Sequence, residues 1–399
     1  MDAEKYPIIY ENGIPIAIIQ NVFDLIATDE IGAESVLDFK VFFQDKKRKF
    51  LKNQAEVRLD GKVYRIKTVV DKKESGKTKT TQVYAENVYY DLARAAAKKS
   101  AVFDGATAKT AMTYALSNTD WSIGVIEINT TRSFENNETN PLAVLQLIAD
   151  LYHGELVFHS LEKTVDLVKQ TGKNRGIVFH FHKNMKSIER TISTTSLVTR
   201  LYATGKDGMT FASVNNGLSY VEDFSYTDEV LIGGLDCSNF TSAEDMLSYT
   251  KMRVAEYCKP NYSYVLKVMY LQAYPGYSHE IYELGDTVRV VDEELDLDLT
   301  TRIVRMEKNI MEPWNTVVEL STTIGTLGME DDNSLQEAVD AVVKSFVAPR
   351  LIQATIDTKN GEVNAMYELG IPVQYKYKML EDGILFTHPD GVSCEIKIT

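Results

Sequence analysis

The eight residues from Val36 to Phe43 restrict this chain most. Leu37, Phe39, Val41 and Phe43 alternate with Val36, Asp38, Lys40 and Phe42, a period of two with one strongly apolar face. A helix would scatter those apolar groups around its circumference, whereas an extended strand collects them on one side. The same reading predicts strands at Val63–Val70 and Thr80–Ala85, joined across Asp71–Lys79, whose Ser75-Gly76 and lysines suit an exposed hairpin tip. The first hundred residues are therefore mainly β, with a helix expected from Glu86 that places Val88, Tyr89, Leu92 and Ala96 at helical spacing.

The middle of the chain is mixed. Thr107 is placed to cap a short helix through Leu116, and Trp121–Ile128 reads as a strand. Asn140-Pro141 opens the clearest helix: Asn caps well, Pro fits the first helical position, and Gly154 is positioned to close the end. Leu142, Leu145, Ile148 and Tyr152 form its apolar stripe. Short strands follow at Leu156–His159, Val165–Val168 and Ile177–His182.

From Ser187 the period returns to two. Leu197–Thr204, Met209–Val214 and Leu218–Val221 read as a three-stranded meander, because Gly205-Lys206-Asp207-Gly208 and Asn215-Asn216-Gly217 supply the positive φ of tight hairpins. Thr241-Ser242-Ala243-Glu244 is a capping box before a helix ending near Cys258, with Pro260 as the stop. Strands are expected at Tyr264–Tyr270, Asp286–Val291, Thr301–Glu307 and Trp314–Leu320. An acidic linker, Met329–Asn333, leads to a helix capped at Ser334 with Leu335, Val339, Val342 and Phe346 on one face. Beyond Pro349 the sequence is strand-poor at first and ends in a hairpin around Asp390-Gly391. This order predicts an α+β, mainly β chain: two antiparallel β-barrel-like domains, an interrupted α/β insert and a small C-terminal segment.

Composition narrows the function classes. At 399 residues there is room for two to four cored domains. No apolar run reaches the length of a membrane span, and MDAEKYPIIYENG lacks the basic-then-apolar pattern of a signal peptide, so folding in a cytoplasm and no membrane anchor are expected. With 43 Lys plus Arg against 57 Asp plus Glu, the net charge of −14 repels phosphate backbones, which argues against sequence-specific nucleic-acid binding. Cys237, Cys258 and Cys394 are far apart and form no CxxC pair, the pattern of reduced, buried thiols.

Five features were weighed as chemistry. His180 and His182 project from one face of a strand, yet no third ligand stands at fixed spacing, so no metal is expected. The carboxylate-rich Asp292–Asp298 lacks the calcium-loop pattern and reads as a solvated strand edge or a contact for a basic partner. Lys46-Lys47-Arg48-Lys49 and Lys72–Lys79 lack interleaved aromatics, so they read as solvated turns or contacts to an acidic neighbour. Cys237 follows Gly233-Gly234-Leu235-Asp236, but no histidine motif accompanies it, and GxSxG, HExxH, P-loop and GxGxxG signatures are lacking. The 22 tyrosines, scattered along strands, suit sheet packing better than saccharide stacking. No catalytic, cofactor-binding or metal-ligating residue is assigned, and no cofactor is expected.

The string LVTRLYATGKDGMTFASVNNGLSYVED at Leu197–Asp223 resembles the prophage tail endopeptidase, or tail-hub, family. LGDTVRVVD, TRIVRMEKNIMEP and WNTVVEL within Leu284–Leu320 extend the resemblance, which with the strand-rich N-terminus covers residues 1–325 approximately. It implies a fold similar to baseplate hubs, with two barrel-like domains per chain and three chains closing a ring. Residues 1–95 would form the first domain, 186–228 and 262–324 the second, 96–185 and 229–261 the insert, and 325–399 a linker, helix and C-terminal segment. The implied role is a structural hub at the virion tail tip, synthesised in the bacterial host cytoplasm. A homotrimer would cap the tail tube and meet the distal tail, tape-measure and receptor-binding proteins. The family name also implies a hydrolase, but about seventy residues after Leu327 are too few for a cored hydrolase domain. The alternatives are a cell-wall hydrolase and a saccharide-binding tail protein.

Overall fold

The computed structural model describes residues 5–73, 78–181, 183–273, 276–277 and 280–321, and the backbone of strands between 351 and 397. The first seven strands are β1 (Ile8–Glu11), β2 (Ile14–Ile18), β3 (Val22–Glu30), β4 (Ser35–Phe42), β5 (Glu56–Leu59), β6 (Lys62–Lys72) and β7 (Thr80–Asn87). The alternation at Val36 is β4: Leu37, Phe39 and Val41 are fully buried. They meet Ile9, Leu25, Val57, Tyr64, Ile66 and Val83 in one core drawn from six strands of the same sheet. A sheet that fills its own core in this way must curl over itself. The helix expected from Glu86 is shorter and tighter, a 3-10 turn at Val88–Arg94 that Asn87 caps through the amide of Tyr89.

The middle region comprises β8 (Ala101–Thr107), α1 (Ala108–Leu116), β9 (Ser122–Ile126), β10 (Thr131–Asn136), α2 (Pro141–Tyr152), β11 (Glu155–His159) and β12 (Thr164–Val168). Thr107 caps α1 by accepting from the amide of Thr110, and Asn140 caps α2 by accepting from that of Ala143 at 2.9 Å. His153, not Gly154, takes the left-handed position ending α2, with φ 54° and ψ 56°. Gly154 is needed for space instead, since a Cβ there would lie 2.4 Å from Cδ1 of Ile128.

Next come β13 (Asn174–His180), β14 (Met185–Ser193), β15 (Arg200–Gly205), β16 (Tyr220–Glu222), β17 (Ile232–Cys237), α3 (Ala243–Tyr257), β18 (Asn261–Val268), β19 (Thr287–Asp292), β20 (Leu297–Asn309) and β21 (Thr316–Ser321). The expected meander is replaced by a different arrangement. β15 pairs antiparallel with β16 and parallel with β17, and no strand forms at Met209–Val214. The two turns do take the expected positive φ, at Asp207, Gly208, Asn216 and Gly217. However, Phe211 is fully buried and anchors the segment as a loop that ends in a 3-10 turn at Ala212–Val214. The cap of α3 falls on Ser242, which accepts from the amide of Asp245, so the box sits one residue later than Thr241–Glu244.

Two placements depart from the sequence reading. Leu201, Ala203 and Val221 of β15 and β16 join Leu145, Met112 and Met246 in the middle core rather than the second β core. Conversely, β13 leaves the insert, pairing parallel with β19, and Phe179 joins Val290, Leu266 and Leu320 in the second β core. The two expected barrels are also not separate closed units. One 13-stranded sheet runs β14-β18-β21-β20-β3-β4-β7-β6-β5-β1-β2, with β19 and β13 branching from β20. The physical reason is β20, 13 residues long. Leu297–Arg302 of β20 pairs with β19 and Arg305–Asn309 with β3, so the strand that would complete one unit continues into the other.

The chain ends in a five-stranded antiparallel sheet, β22 (Leu351–Asp357), β23 (Glu362–Tyr367), β24 (Pro372–Met379), β25 (Gly383–Thr387) and β26 (Ser393–Lys397). The region after Pro349 is therefore strand-rich from its start. β25 and β26 pair antiparallel around Asp390-Gly391, as the sequence predicts. The helix expected from Ser334, the linker Met329–Asn333 and the tip Ser75-Gly76 lie outside the described residues.

Candidate functional site

β20 borders all three regions: Ile303 and Met306 join the second β core, Arg305–Asn309 pairs with β3, and Arg302 bonds Glu155 of β11. Ile303 of this strand enters the second β core with Arg302 on the other face, and a bulge against β21 between Ile303 and Arg305 breaks the alternation and leaves Arg305 at the margin. Arg305 faces Glu30 of β3 on one side and Glu319 of β21 on the other. Its guanidinium lies 2.9 Å from Glu319, 2.6 Å from Glu307 and 3.4 Å from Glu34. Burial alone would push its pKa down, but Glu307 and Glu319 hold it above its ordinary value. Arg302 turns toward the middle region and grips Glu155 of β11 with two hydrogen bonds of 2.8 and 3.0 Å.

A cleft of about 540 Å³ opens where these elements converge. The β3–β4 turn, Asp60, the start of α2, β11, Tyr270, Gln272 and Tyr282–Leu284 all contribute to its wall. Lys62 pairs with Asp29 at 2.5 Å, Lys308 pairs with Asp60 at 2.5 Å, and the Lys308 ammonium stands 4.8 Å over the Tyr270 ring. The hydroxyls of Tyr89 and Tyr90 both donate to the carbonyl of Ala33. Three buried polar atoms in the wall have no protein partner: Tyr282 Oη, Gln272 Oε1 and Thr171 Oγ1. Among the described residues neither His nor Cys lines the cleft, and Ser35 donates its hydroxyl to Asp29 at 2.8 Å. The wall thus offers unpaired polar atoms, and its described residues set no base beside a nucleophile.

The residues singled out in sequence are dispersed. His180 is half-buried, its Nδ1 2.5 Å from the carbonyl of Phe181, and His182 lies outside the described residues. Among the described residues, no three His, Cys, Asp or Glu side chains converge as for a metal. Cys237 is 2% exposed on β17, and burial pushes its thiol up to about 12. That thiol stays protonated at neutral pH, the wrong state for a nucleophile. Many tyrosines are packing groups, as expected: Tyr64, Tyr152, Tyr249, Tyr264 and Tyr282 are buried.

The acidic and basic clusters both form turns. Asp292–Leu297 joins β19 to β20, with Asp292 accepting from the amides of Glu294 and Leu295 at 3.0 Å each. Lys46–Phe50 is a 3-10 turn capped by Asp45. Within it Lys47 donates to the carbonyl of Ile18 at 2.7 Å, and Arg48 bonds Thr81 and pairs with Asp71. Lys72 donates to Gln82 at 2.9 Å.

One polar cluster went unseen in sequence. Asp150 of α2 accepts from the Tyr249 hydroxyl at 2.6 Å and pairs with Arg253 of α3. Burial pushes the Arg253 guanidinium down, and Asp150, Tyr249, Tyr257 and Glu256 together raise it. Tyr249 and Arg253, four apart on one helix, were the visible half of this signal; the acidic partner is 103 residues away from Arg253. The cluster ties two helices together inside the middle core.

Three family models match in succession: the prophage endopeptidase tail N-terminal domain at residues 7–87, the prophage endopeptidase tail domain at 95–167 and the prophage endopeptidase tail at 173–330. The SPbeta prophage-derived uncharacterized protein YomG of Bacillus subtilis (strain 168) is 38% identical over 98 residues, which is 24% of this chain and 11% of that protein. The chain therefore spans only about a tenth of that relative's length. Prophage tail protein gp18 from Listeria monocytogenes EGD-e superposes with a TM-score of 0.60 at 15% identity, covering 85% of this chain and 99% of that one. The 43 kDa tail protein of prophage MuSo2 from Shewanella oneidensis gives 0.58 at 10% identity, over 83% and 99%. The tail protein from Neisseria meningitidis MC58 gives 0.55 at 12%, over 79% and 95%. These likenesses establish a shared fold, and the successive family models, running from the first curled β half through the middle region to β20 and β21, establish descent: the chain is a phage tail protein and belongs to the prophage endopeptidase tail family.

Proposed function

We propose that this tail protein is the hub subunit of the tail tip, with three chains in a ring that caps the tail tube. The pairing of β20 with β3 carries the proposal. It sets two β halves side by side in one chain, so three chains in a ring would present six such units to the tail tube. Among the described residues β2 and β14 have no partner strand along their outer edges, and such edges are templates for a neighbouring chain. The ring would meet the distal tail, tape-measure and receptor-binding proteins. A structural role is supported by the described lining of the cleft, which sets no base beside a nucleophile, and by the burial of Cys237, which pushes its thiol up to about 12.

The test is the mass in solution, alone and with the distal tail protein, together with a turbidity assay on Gram-positive cell walls. A trimer with the tail partner and no clearing of the walls is the expected result. Steady clearing by the purified chain would replace the structural role with a hydrolase.

A further inference from the structure

Two surface features in different halves of the large sheet carry opposite charge and matching apolar character. Beside the free edge strand β2, Phe42 and Phe43 are exposed at the start of the basic turn. Lys46 and Lys49 of that turn face solvent, and the Lys79 ammonium stands 5.7 Å over the Phe43 ring.

In the other half, the β19–β20 turn presents Leu295, 43% exposed, between Glu293, Glu294 and Asp296. Among the described residues these three carboxylates have no ion-pair partner, whereas Asp298 below them is held by Arg289 at 2.7 and 2.5 Å. Asp292 fixes the turn through two amides, so the tip is held in shape before it meets anything.

A protruding apolar tip between carboxylates complements an apolar patch ringed by ammonium groups. The same chain carries both: Phe42 stays 47% and Phe43 36% exposed, although Phe42 packs on Phe23 and the Arg48 guanidinium stands 4.0 Å over the Phe43 ring. One copy can therefore give its hairpin to a neighbour while its own patch receives another, the head-to-tail contact from which closed rings are built. Resting on the hub reading above, we propose that the hairpin Asp292–Leu297 of one copy docks on the Phe42–Lys49 patch of the next. Leu295 would sit against Phe42 and Phe43, and Glu293, Glu294 and Asp296 would meet Lys46, Lys49 and Lys79.

Charge reversal tests this contact in the full chain, with native mass spectrometry and sedimentation velocity read in the presence of the distal tail protein. Lys46→Glu with Lys49→Glu, or Glu293→Lys with Glu294→Lys, should each raise the dissociation constant of the ring at least about tenfold. The variant carrying all four changes should recover most of the loss, because every contact is again between opposite charges. Circular dichroism of all variants should match the parent, since the four positions are exposed. As a second measurement, the parent ring should weaken as salt rises from 0.05 to about 0.5 M. A parent ring indifferent to the double reversals, or a fourfold variant as weak as the doubles, overturns this contact and leaves the hub reading standing. A parent chain that never assembles with its tail partner removes both.

Discussion

Arg302 and Glu155 lie 147 residues apart and are joined by two parallel hydrogen bonds, 2.8 and 3.0 Å long. Arg302 also donates to the carbonyls of Thr171 and Gly285, and Glu155 accepts from the amide of Thr171 at 2.7 Å. One side chain of the large sheet thereby holds Glu155 and the carbonyl of Thr171 beside Gly285 of its own half.

Removing only the cation strands a partly buried carboxylate. Arg302→Met is expected to cost about 3–5 kcal/mol, the range for breaking a buried pair from one side. Arg302→Met combined with Glu155→Leu should cost less than the single change. Urea denaturation of the three proteins checks this, and a double variant less stable than Arg302→Met would contradict it.

Gly172 and Gly285 make the same junction at the backbone. Gly172 has φ +83°, and a Cβ on it would lie 2.1 Å from the carbonyl carbon of Gly285. Gly172→Ala is expected to destabilise by about 3 kcal/mol or more, combining overpacking with left-handed strain. Gly176→Ala, at φ +73° with nothing near its Cβ, should show only the strain, about 1–2 kcal/mol. Thermal unfolding of both orders them, and an equal loss would mean that the contact yields freely.

Leu145 of α2 is fully buried among the middle core. Leu145→Ala should cost about 2–5 kcal/mol by denaturant unfolding. A change below about 0.5 kcal/mol, the size usual for surface positions, would place the stripe outside the core.

Alkaline pH should loosen the middle core. Burial raises the Cys237 thiol from 9.0 to about 12, and the Tyr152 and Tyr257 hydroxyls from 10.0 to about 12. Each folded pKa lies above its unfolded value, so the unfolded chain releases these protons first as pH rises. Their stabilising contribution is complete below about pH 9 and is lost between pH 9 and pH 12. Thermal midpoints measured from pH 7 to 11 should fall above pH 9, and Cys237→Ser with Tyr257→Phe should flatten the slope. A slope unchanged in that variant would assign alkaline loss to other groups.

What the sequence made legible follows from how far apart the deciding residues sit. The alternation in β4 and the Asn140-Pro141 cap are settled by neighbours, and both appear where expected. The turns around Asp207-Gly208 and Asn216-Gly217 were legible for the same reason, but the strand between them was not. Phe211 is drawn into a core shared with distant residues such as Leu145 and Met246, and that pull overrides local strand propensity. The parallel pairing of β15 with β17, the run of β20 into β3 and the Asp150–Arg253 pair depend on partners far along the chain, so no local pattern announces them. The candidate surfaces were visible as charge clusters at Lys46–Lys49 and Asp292–Asp298; that both form turns beside exposed apolar side chains required the fold.

The most direct test of the account is the mass of the full chain in solution, by light scattering or native mass spectrometry, with and without the distal tail protein. The account predicts a monomer or weak trimer for the chain alone at low concentration and a stable trimer once the tail partner is added, because a neighbouring ring supplies additional contacts. A stable dimer that tail partners leave unchanged would contradict it.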